Sequence, residues 1–384
     1  MKNNQLIKNI AVLVMVAVIC VISGSMFLAQ QQPDVLYTGN PNITKVVKLS
    51  DYNANLKGTA NDVDIYVFDS GVPGGKALIY GGTHTNEVGS MLNAVTYLEN
   101  VKVETGTLYI MVHANNSGYT HTQPLRGQIP QMNFTLTDGT TRSFAVGTRI
   151  SNPVHQWPDP NYHLNMSGRE LVHDEVAEIR NLNRNHPGAE DGYLTEMTCW
   201  AIYNMINTEG IDLIYDGHEA GATSTKLVNF LVVHENALAM GSTAVTNCLI
   251  NNLPFKLEVS GQTSYGLSHR GLGDNTNALC TLFETCNPAM GAHHEKMDEK
   301  LFKEGKSANY VAMMEAGVMN HAYVFTDEES WPVEKRTAYH MQMSMEVLNT
   351  FDTMYPDKPI KVSGLPDANF MLENGLEATL KSVG

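Results

Sequence analysis

The sequence predicts an α/β protein, with a mixed, largely parallel central sheet, helices on both faces and a helical C-terminal tail. Short apolar runs of strand character alternate along the chain with stretches whose apolar residues recur at helical spacing. The 384 residues, 43% of them hydrophobic, suffice for one large or two modest domains around a sizeable core. No internal repeat competes with this architecture.

Lys2 and Lys8 precede an uncharged stretch, residues 10–29, rich in Val, Ile, Leu and Met. At 1.5 Å per residue such a helix is about 30 Å long, the thickness of a bilayer core. Ser23 and Ser25 are small enough for a signal-peptidase site, so residues 1–29 are either an N-terminal membrane anchor or a signal peptide. The flanking lysines place the N-terminus in the cytoplasm and the rest of the chain outside, membrane-anchored or secreted. Residues 30–61 are polar and extended, with a first strand at 43–49.

Residues 62–290 carry the regular pattern. Strands are expected at 63–68, 76–80 and 107–113, with a helix at 88–98 between the last two. Residues 115–165 are rich in Gly, Pro, Thr and Asn without clear periodicity, and read as an insertion of the kind that forms a lid. Leu194, Met197, Ala201 and Met205 then share one helical face, and Gly210 stands where a left-handed residue ends a helix. Strands follow at 211–215, 228–233, 255–259 and 278–283, with a helix at 236–249. In the tail, residues 291–384, Met341, Met345 and Leu348 recur at helical spacing and Pro332 suits a first turn.

The net charge is −15, and no Lys/Arg-rich run offers the basic face that phosphate neutralisation needs, which argues against nucleic acid as a partner. Beyond Cys20, the cysteines Cys199, Cys248, Cys280 and Cys286 form no C-x-x-C pair. Disulfides among them and buried free thiols both remain open.

Reactive groups of α/β sheets gather beyond the carboxyl ends of strands. The 76–80 strand runs into Gly81-Gly82-Thr83-His84-Thr85-Asn86-Glu87, where His84 and Glu87 are spaced to reach one metal from a single turn. With 14 His and 40 Asp plus Glu in the chain, that pair alone is a weak signal. The 211–215 strand ends in Asp216-Gly217-His218-Glu219, so His218 can complete a two-His, one-carboxylate set whose fourth position is open to water. Glu284, after the 278–283 strand, is placed for a general base. Asn183-Arg184 precedes a helix, where Arg184 offers a bidentate fork for a carboxylate; capping and salt-bridging that helix is the alternative.

In this order, His84-x-x-Glu87, Asn183-Arg184, His218 and Glu284 resemble the zinc carboxypeptidase superfamily. The GGTHTNE stretch looks most like its succinylglutamate desuccinylase/aspartoacylase branch, and matching residues extend over 62–287. The resemblance implies a zinc carboxypeptidase-like fold and one Zn²⁺ ion on His84, Glu87 and His218. Asn183 and Arg184 would grip a substrate carboxylate, and Glu284 would be the base. The activity implied is hydrolysis of an amide bond in an N-acyl amino acid or at a peptide C-terminus. Tyr265 and Arg270 lie on a loop that the family often places near substrate, and Arg169 and Arg180 are further candidates for polarising the carbonyl.

Four departures stand out. Asn181 replaces an Asp that often supports a zinc histidine, His186 replaces a Phe, the interval from Glu87 to Asn183 is long, and the tail reads helical where aspartoacylase-like members are β-rich. Asn181 and the tail motivate the alternative function, an extracytoplasmic ligand-binding protein of the same fold without turnover.

Overall fold

The computed structural model describes residues 2–158, 162–164, 170–172, 178–224, 228–291, 293–319, 325–326 and 329–383. Its centre is an eight-stranded sheet built from β1 (Lys45–Lys48), β2 (Asp64–Asp69), β3 (Lys76–Tyr80), β4 (Thr107–Met111), β5 (Leu213–Gly221), β6 (Phe230–Val233), β7 (Lys256–Val259) and β8 (Leu279–Asn287). The spatial order is β1-β2-β4-β3-β5-β8-β6-β7. The four inner strands β4, β3, β5 and β8 are mutually parallel, whereas β1–β2, β2–β4 and β6–β8 pair antiparallel. This is the mixed, largely parallel sheet that the alternating pattern predicts.

Both faces are covered, and strand alternation shows how. Ala77 and Ile79 of β3, with Leu108 and Ile110 of β4, join one apolar cluster; Leu78 and Tyr80, with Tyr109 and Met111, join another. The first cluster is completed by three helices, α2 (Val88–Asn100), α4 (Leu238–Ile250) and α6 (Val333–Met354). The second is completed by α3 (Leu194–Glu209) and α5 (Ser268–Asn275). α3 ends at Gly210 in the left-handed conformation, φ 67° and ψ 48°. In α6, Met341 and Leu348 are buried and Met345 partly so, and the helix packs on α2, α4 and β8. Cys199, Cys248, Cys280 and Cys286 are buried free thiols.

The structure differs from the sequence expectation in three places. β5 and β8 run on to Gly221 and Asn287, so the Asp216–Glu219 stretch and Glu284 lie within strands rather than after them. Parallel pairing continues through these polar residues and sets His218 directly beside Glu284. The 115–165 insertion holds a hairpin, Gln131–Thr135 with Thr141–Ala145, whose Met132, Phe134 and Phe144 enter the main core. The tail is helical at Ala308–Glu315, α6 and Ala368–Asn374, but Lys361–Ser363 is a strand paired with Lys102–Thr105.

At the N-terminus lies α1 (Lys2–Gln30), largely exposed over residues 4–30, and its most apolar 18-residue stretch has a mean hydropathy of 2.7. It is long and apolar enough to cross a membrane, and a signal sequence has the same character. The chain then docks: Asp34 Oδ2 lies 3.0 Å from His113 Nε2, and its other oxygen accepts the Ala145 N–H at 2.8 Å.

Candidate metal centre

The centre forms where β3, β5 and β8 present their carboxyl-terminal halves. After Tyr80 the chain turns through Gly81 and Gly82. Gly82 has φ 72°, and a Cβ on Gly81 would lie 2.6 Å from the Ser90 carbonyl oxygen, so only glycine admits the approach of α2. Glu87 closes the turn by donating its N–H to the His84 carbonyl, at 3.1 Å, and α2 begins at the next residue. Gly217 gives β5 the same freedom, since a Cβ there would stand 2.9 Å from Ser90 Cβ.

His84 Nδ1 lies 2.6 Å from Glu87 Oε1, and His218 Nδ1 lies 3.1 Å from Glu87 Oε2. The three ligand atoms fall within 4.8 Å of one another and all three side chains are buried. The outer nitrogens are also engaged. His84 Nε2 meets Asn181 Oδ1 at 2.9 Å, and that oxygen also accepts the Asn183 N–H, so it faces His84 as an acceptor. His218 Nε2 meets Asp216 Oδ2 at 3.0 Å. Acceptors at both Nε2 atoms put the hydrogens there and turn the Nδ1 lone pairs inward, onto a carboxylate. At these distances each Nδ1 shares a proton with the Glu87 carboxylate, and a metal cation binds by displacing that proton. Two imidazoles and one carboxylate are a zinc-type donor set, so the residues fit the metal that the motif implies.

Without a cation, protons balance the charge of this cluster. Burial works against charge on His218, but the Asp216 and Glu87 carboxylates on either side hold its proton well above the usual range. Burial lowers His84. Glu87 is buried too, yet His84 and His218 pull its carboxyl down. Asp216, which the sequence reading passed over, accepts from Thr83 Oγ1 at 3.0 Å and Ser268 Oγ at 2.5 Å, tying β5 to β3 and α5. Its signal was the D-x-H spacing, which puts both side chains on one face of a strand.

Glu284 stands opposite His218 on β8, and its Oε2 is buried without a hydrogen-bond partner among the described residues. Burial raises its carboxyl to about 8; the Glu87 and Asp216 charges push the same way, while His218 and Arg149 pull down. In the metal-free protein the folded state therefore keeps a proton that the unfolded chain loses near the ordinary carboxyl value. Stability falls as pH rises between those two values, by about 1.4 kcal/mol per pH unit for one such group. Denaturation of chelator-treated protein at pH 5.5 and pH 8 should show this fall, and Glu284→Gln should flatten it.

Asn183 and Arg184 sit beside this cluster. Asn183 Oδ1 accepts the Ser268 N–H at 2.7 Å. Arg184 Nε approaches Glu178 Oε2 at 3.3 Å, and Arg149 Nη2 approaches the same oxygen at 3.5 Å. Arg149 was not legible within the polar insertion; its charge reaches both His84 and Glu284. Tyr265 is exposed beside Gly266, whose carbonyl accepts the His186 N–H. The structure does not bring Arg270 to the cluster: its Nε binds Asp274 at 2.7 Å and its Nη1 approaches Glu235 at 3.3 Å. Those partners sit near His234, whose N–H donates to the Cys280 carbonyl, four residues back along β8 from Glu284. Arg180 is buried and donates to the Ser151 carbonyl, and Arg169 lies outside the described residues. His186, in the Phe position, is buried with both ring nitrogens unpaired among the described residues, and burial lowers it to about 4.

Asn181 supplies an acceptor to His84 but no charge, and its amide donates to Glu178 Oε2 at 2.8 Å. Asn181→Asp should tighten zinc binding by about tenfold, because a carboxylate on Nε2–H makes the inner nitrogen more basic. Competition against a chromogenic chelator measures the change, and unaltered affinity would remove Asn181 from the ligand support.

Fold and site together define an α/β protein with a buried two-histidine, one-carboxylate cluster and an adjacent glutamate whose Oε2 has no partner among the described residues. No protein-family model matches the chain, and no curated protein does. Among solved structures, a metallo-carboxypeptidase from Burkholderia cenocepacia is similar at 13% identity and TM-score 0.44, covering 86% of this chain and 69% of its own. The tripeptide-bound cell shape determinant Csd4 from Helicobacter pylori is similar at 12% identity and TM-score 0.43, covering 78% of this chain and 56% of its own. A succinylglutamate desuccinylase from a Silicibacter species is similar at 17% identity and TM-score 0.37, covering 60% of this chain and 55% of its own. The chain thus spans little more than half the length of the last two. Function has to be read from the side chains themselves.

Proposed function

We propose that this chain is a zinc-dependent hydrolase of the zinc carboxypeptidase superfamily, on its succinylglutamate desuccinylase/aspartoacylase-like branch. It would cleave an amide bond in a carboxylate-bearing substrate, either an N-acyl amino acid or a peptide C-terminus. The observation that carries this is the convergence of His84, Glu87 and His218 with both outer imidazole nitrogens already backed by acceptors. A zinc ion there would polarise the scissile carbonyl, acidify the attacking water and hold Glu284 ionised through its own charge.

Glu284 Oε2, without a partner, accepts the proton from that water and returns it to the leaving nitrogen. Arg149 and Arg184 already converge on one carboxylate oxygen, that of Glu178, and a substrate carboxylate would take that place. The neutral Asn183 amide sits next to Arg184 and is held by the Ser268 N–H, so the grip on the substrate is braced against α5. Tyr265, exposed on the neighbouring loop, can close over the bound chain. We read α1 as the anchor that holds this domain outside the membrane.

Zinc content and hydrolysis of a panel of N-acyl amino acids and short peptides test the assignment. One zinc per chain and turnover of a carboxylate-bearing member are expected; a folded protein that takes up no zinc would overturn it.

A further inference from the structure

We propose that the metal centre lies on the edge of the sheet that faces the bilayer, so that the substrate is a carboxylate-ended chain presented at the membrane surface. This rests on the hydrolase reading and on α1 as an anchor.

Only Gln31, Gln32 and Pro33 separate the end of α1 from Asp34, so Gln30 and Asp34 can be at most about 14 Å apart. Asp34 is not a loose tether point. Its carboxylate is held by His113 and by the Ala145 N–H, Arg142 Nη2 donates to the Val35 carbonyl, and Leu36 packs on the main core. Asn40 is buried and donates to the Leu98 and Val101 carbonyls. The domain is therefore fixed close to the end of α1, and the point of attachment decides which side of it faces the membrane.

That point is at the carboxyl edge of the parallel strands. His113 lies two residues beyond β4, and the residues after it clasp the metal loop: Ala114 N–H donates to Gly81 O and Asn115 N–H to Gly82 O, both at 3.0 Å. His84 follows Gly82 by two residues. Because β4, β3, β5 and β8 are parallel neighbours about 4.8 Å apart, His218 and Glu284 sit on the same edge, roughly 10 and 14 Å to the side of β4. A domain of this size is about 50 Å across. The amino edge of the sheet must then stand far from the bilayer, and the centre within roughly 30 Å of it. Two reactants confined to one surface meet at high effective concentration, which a freely diffusing substrate would not gain.

The test uses the full chain with Cys20→Ser, reconstituted in neutral phosphatidylcholine vesicles that carry a headgroup-linked energy-transfer acceptor. A donor dye is placed either at Leu125→Cys or at Val72→Cys. Leu125 is fully exposed on a loop whose Arg126 reaches the Gly291 carbonyl past the end of β8, and Val72 is half-exposed in the turn before β3. Transfer from position 125 should clearly exceed transfer from position 72, and a twenty-residue Gly/Ser insertion after Gln32 should erase the difference. The second readout is hydrolysis of a lipid-anchored tripeptide with a free carboxylate, expected to be at least tenfold faster than that of the same tripeptide without its lipid. Equal or reversed transfer, or a chain that does not float with the vesicles, overturns the orientation. Equal rates on the two peptides overturn the substrate class. Zinc content of the same sample reads the hydrolase assignment separately, so its failure is distinguishable from a failure of the orientation.

Discussion

Glu284→Gln should lower kcat by about 10³-fold or more while leaving zinc stoichiometry and fold unchanged. The substitution keeps the shape of the side chain and removes only its ability to take a proton. Register alone puts Glu284 beside His218, and its Oε2 has no partner among the described residues to compensate for burial. A carboxyl raised to about 8 by burial is a costly feature to retain for stability alone. The glutamine variant should therefore be at least as stable as the parent at pH 8 in the absence of metal. Paired measurements of kcat and zinc content decide the matter, and full activity in the variant would remove Glu284 from the chemistry.

Arg336→Met should cost about 3–5 kcal/mol of stability, the largest effect expected from any single tail residue. Arg336 and Glu219 are both fully buried, and Nη1 of the arginine lies 2.9 Å from each carboxylate oxygen. Asn287 Nδ2 donates to the same carboxylate at 2.9 Å, and Thr285 Oγ1 approaches it at 3.3 Å. The effect is not confined to packing, because the backbone N–H of Glu219 donates to Glu87 Oε2 at 2.8 Å. Zinc affinity should fall with stability.

The sign of the pH dependence follows from Glu219. Burial outweighs Arg336 and leaves its carboxyl raised to about 7. Without the arginine it rises further, so the variant gains a proton on folding that the unfolded chain releases at much lower pH. The defect should be smaller at pH 6 than at pH 8. Urea denaturation at both pH values tests this, and a double-mutant cycle with Glu219→Gln should give a combined loss well below the sum of the two single losses. Additive losses would mean that the pair does not act as a unit.

The sequence revealed what depends on local spacing. β3 could be read to the residue, because its four apolar positions after Lys76 end abruptly at two glycines. The convergence of His84, Glu87 and His218 rests on the same kind of local signal, because H-x-x-E brings two groups together through one turn and His218 follows an apolar strand. The continuation of the two strands was not legible: backbone pairing carries β5 and β8 on through polar residues such as Asp216, His218 and Glu284, so no apolar run marks their last residues. The hairpin at 131–145 was hidden because Met132, Phe134 and Phe144 are scattered among polar neighbours, although Asp138-Gly139 is a turn signal. Arg149, Glu178 and the Glu219–Arg336 pair join segments far apart in the chain, which no spacing rule reaches. Arg270 lies in the right region, on the helix that braces Asp216 and Asn183, but Asp274 one turn later claims its side chain.

The continued pairing of β5 with β8 through Gly221 and Asn287 divides the molecule's labour. His218 and Glu284 ride on the interior of the hydrogen-bonded lattice, where a change in one residue disturbs its neighbours on both sides. Arg149, Arg184 and Tyr265 hang on connecting segments that can be lengthened, shortened or exchanged without touching that lattice. On the hydrolase proposed above, selection can retune which molecule is held while the proposed bond-breaking groups stay in register. Diversity among descendants of this chain should accumulate in the loops and spare the strand ends.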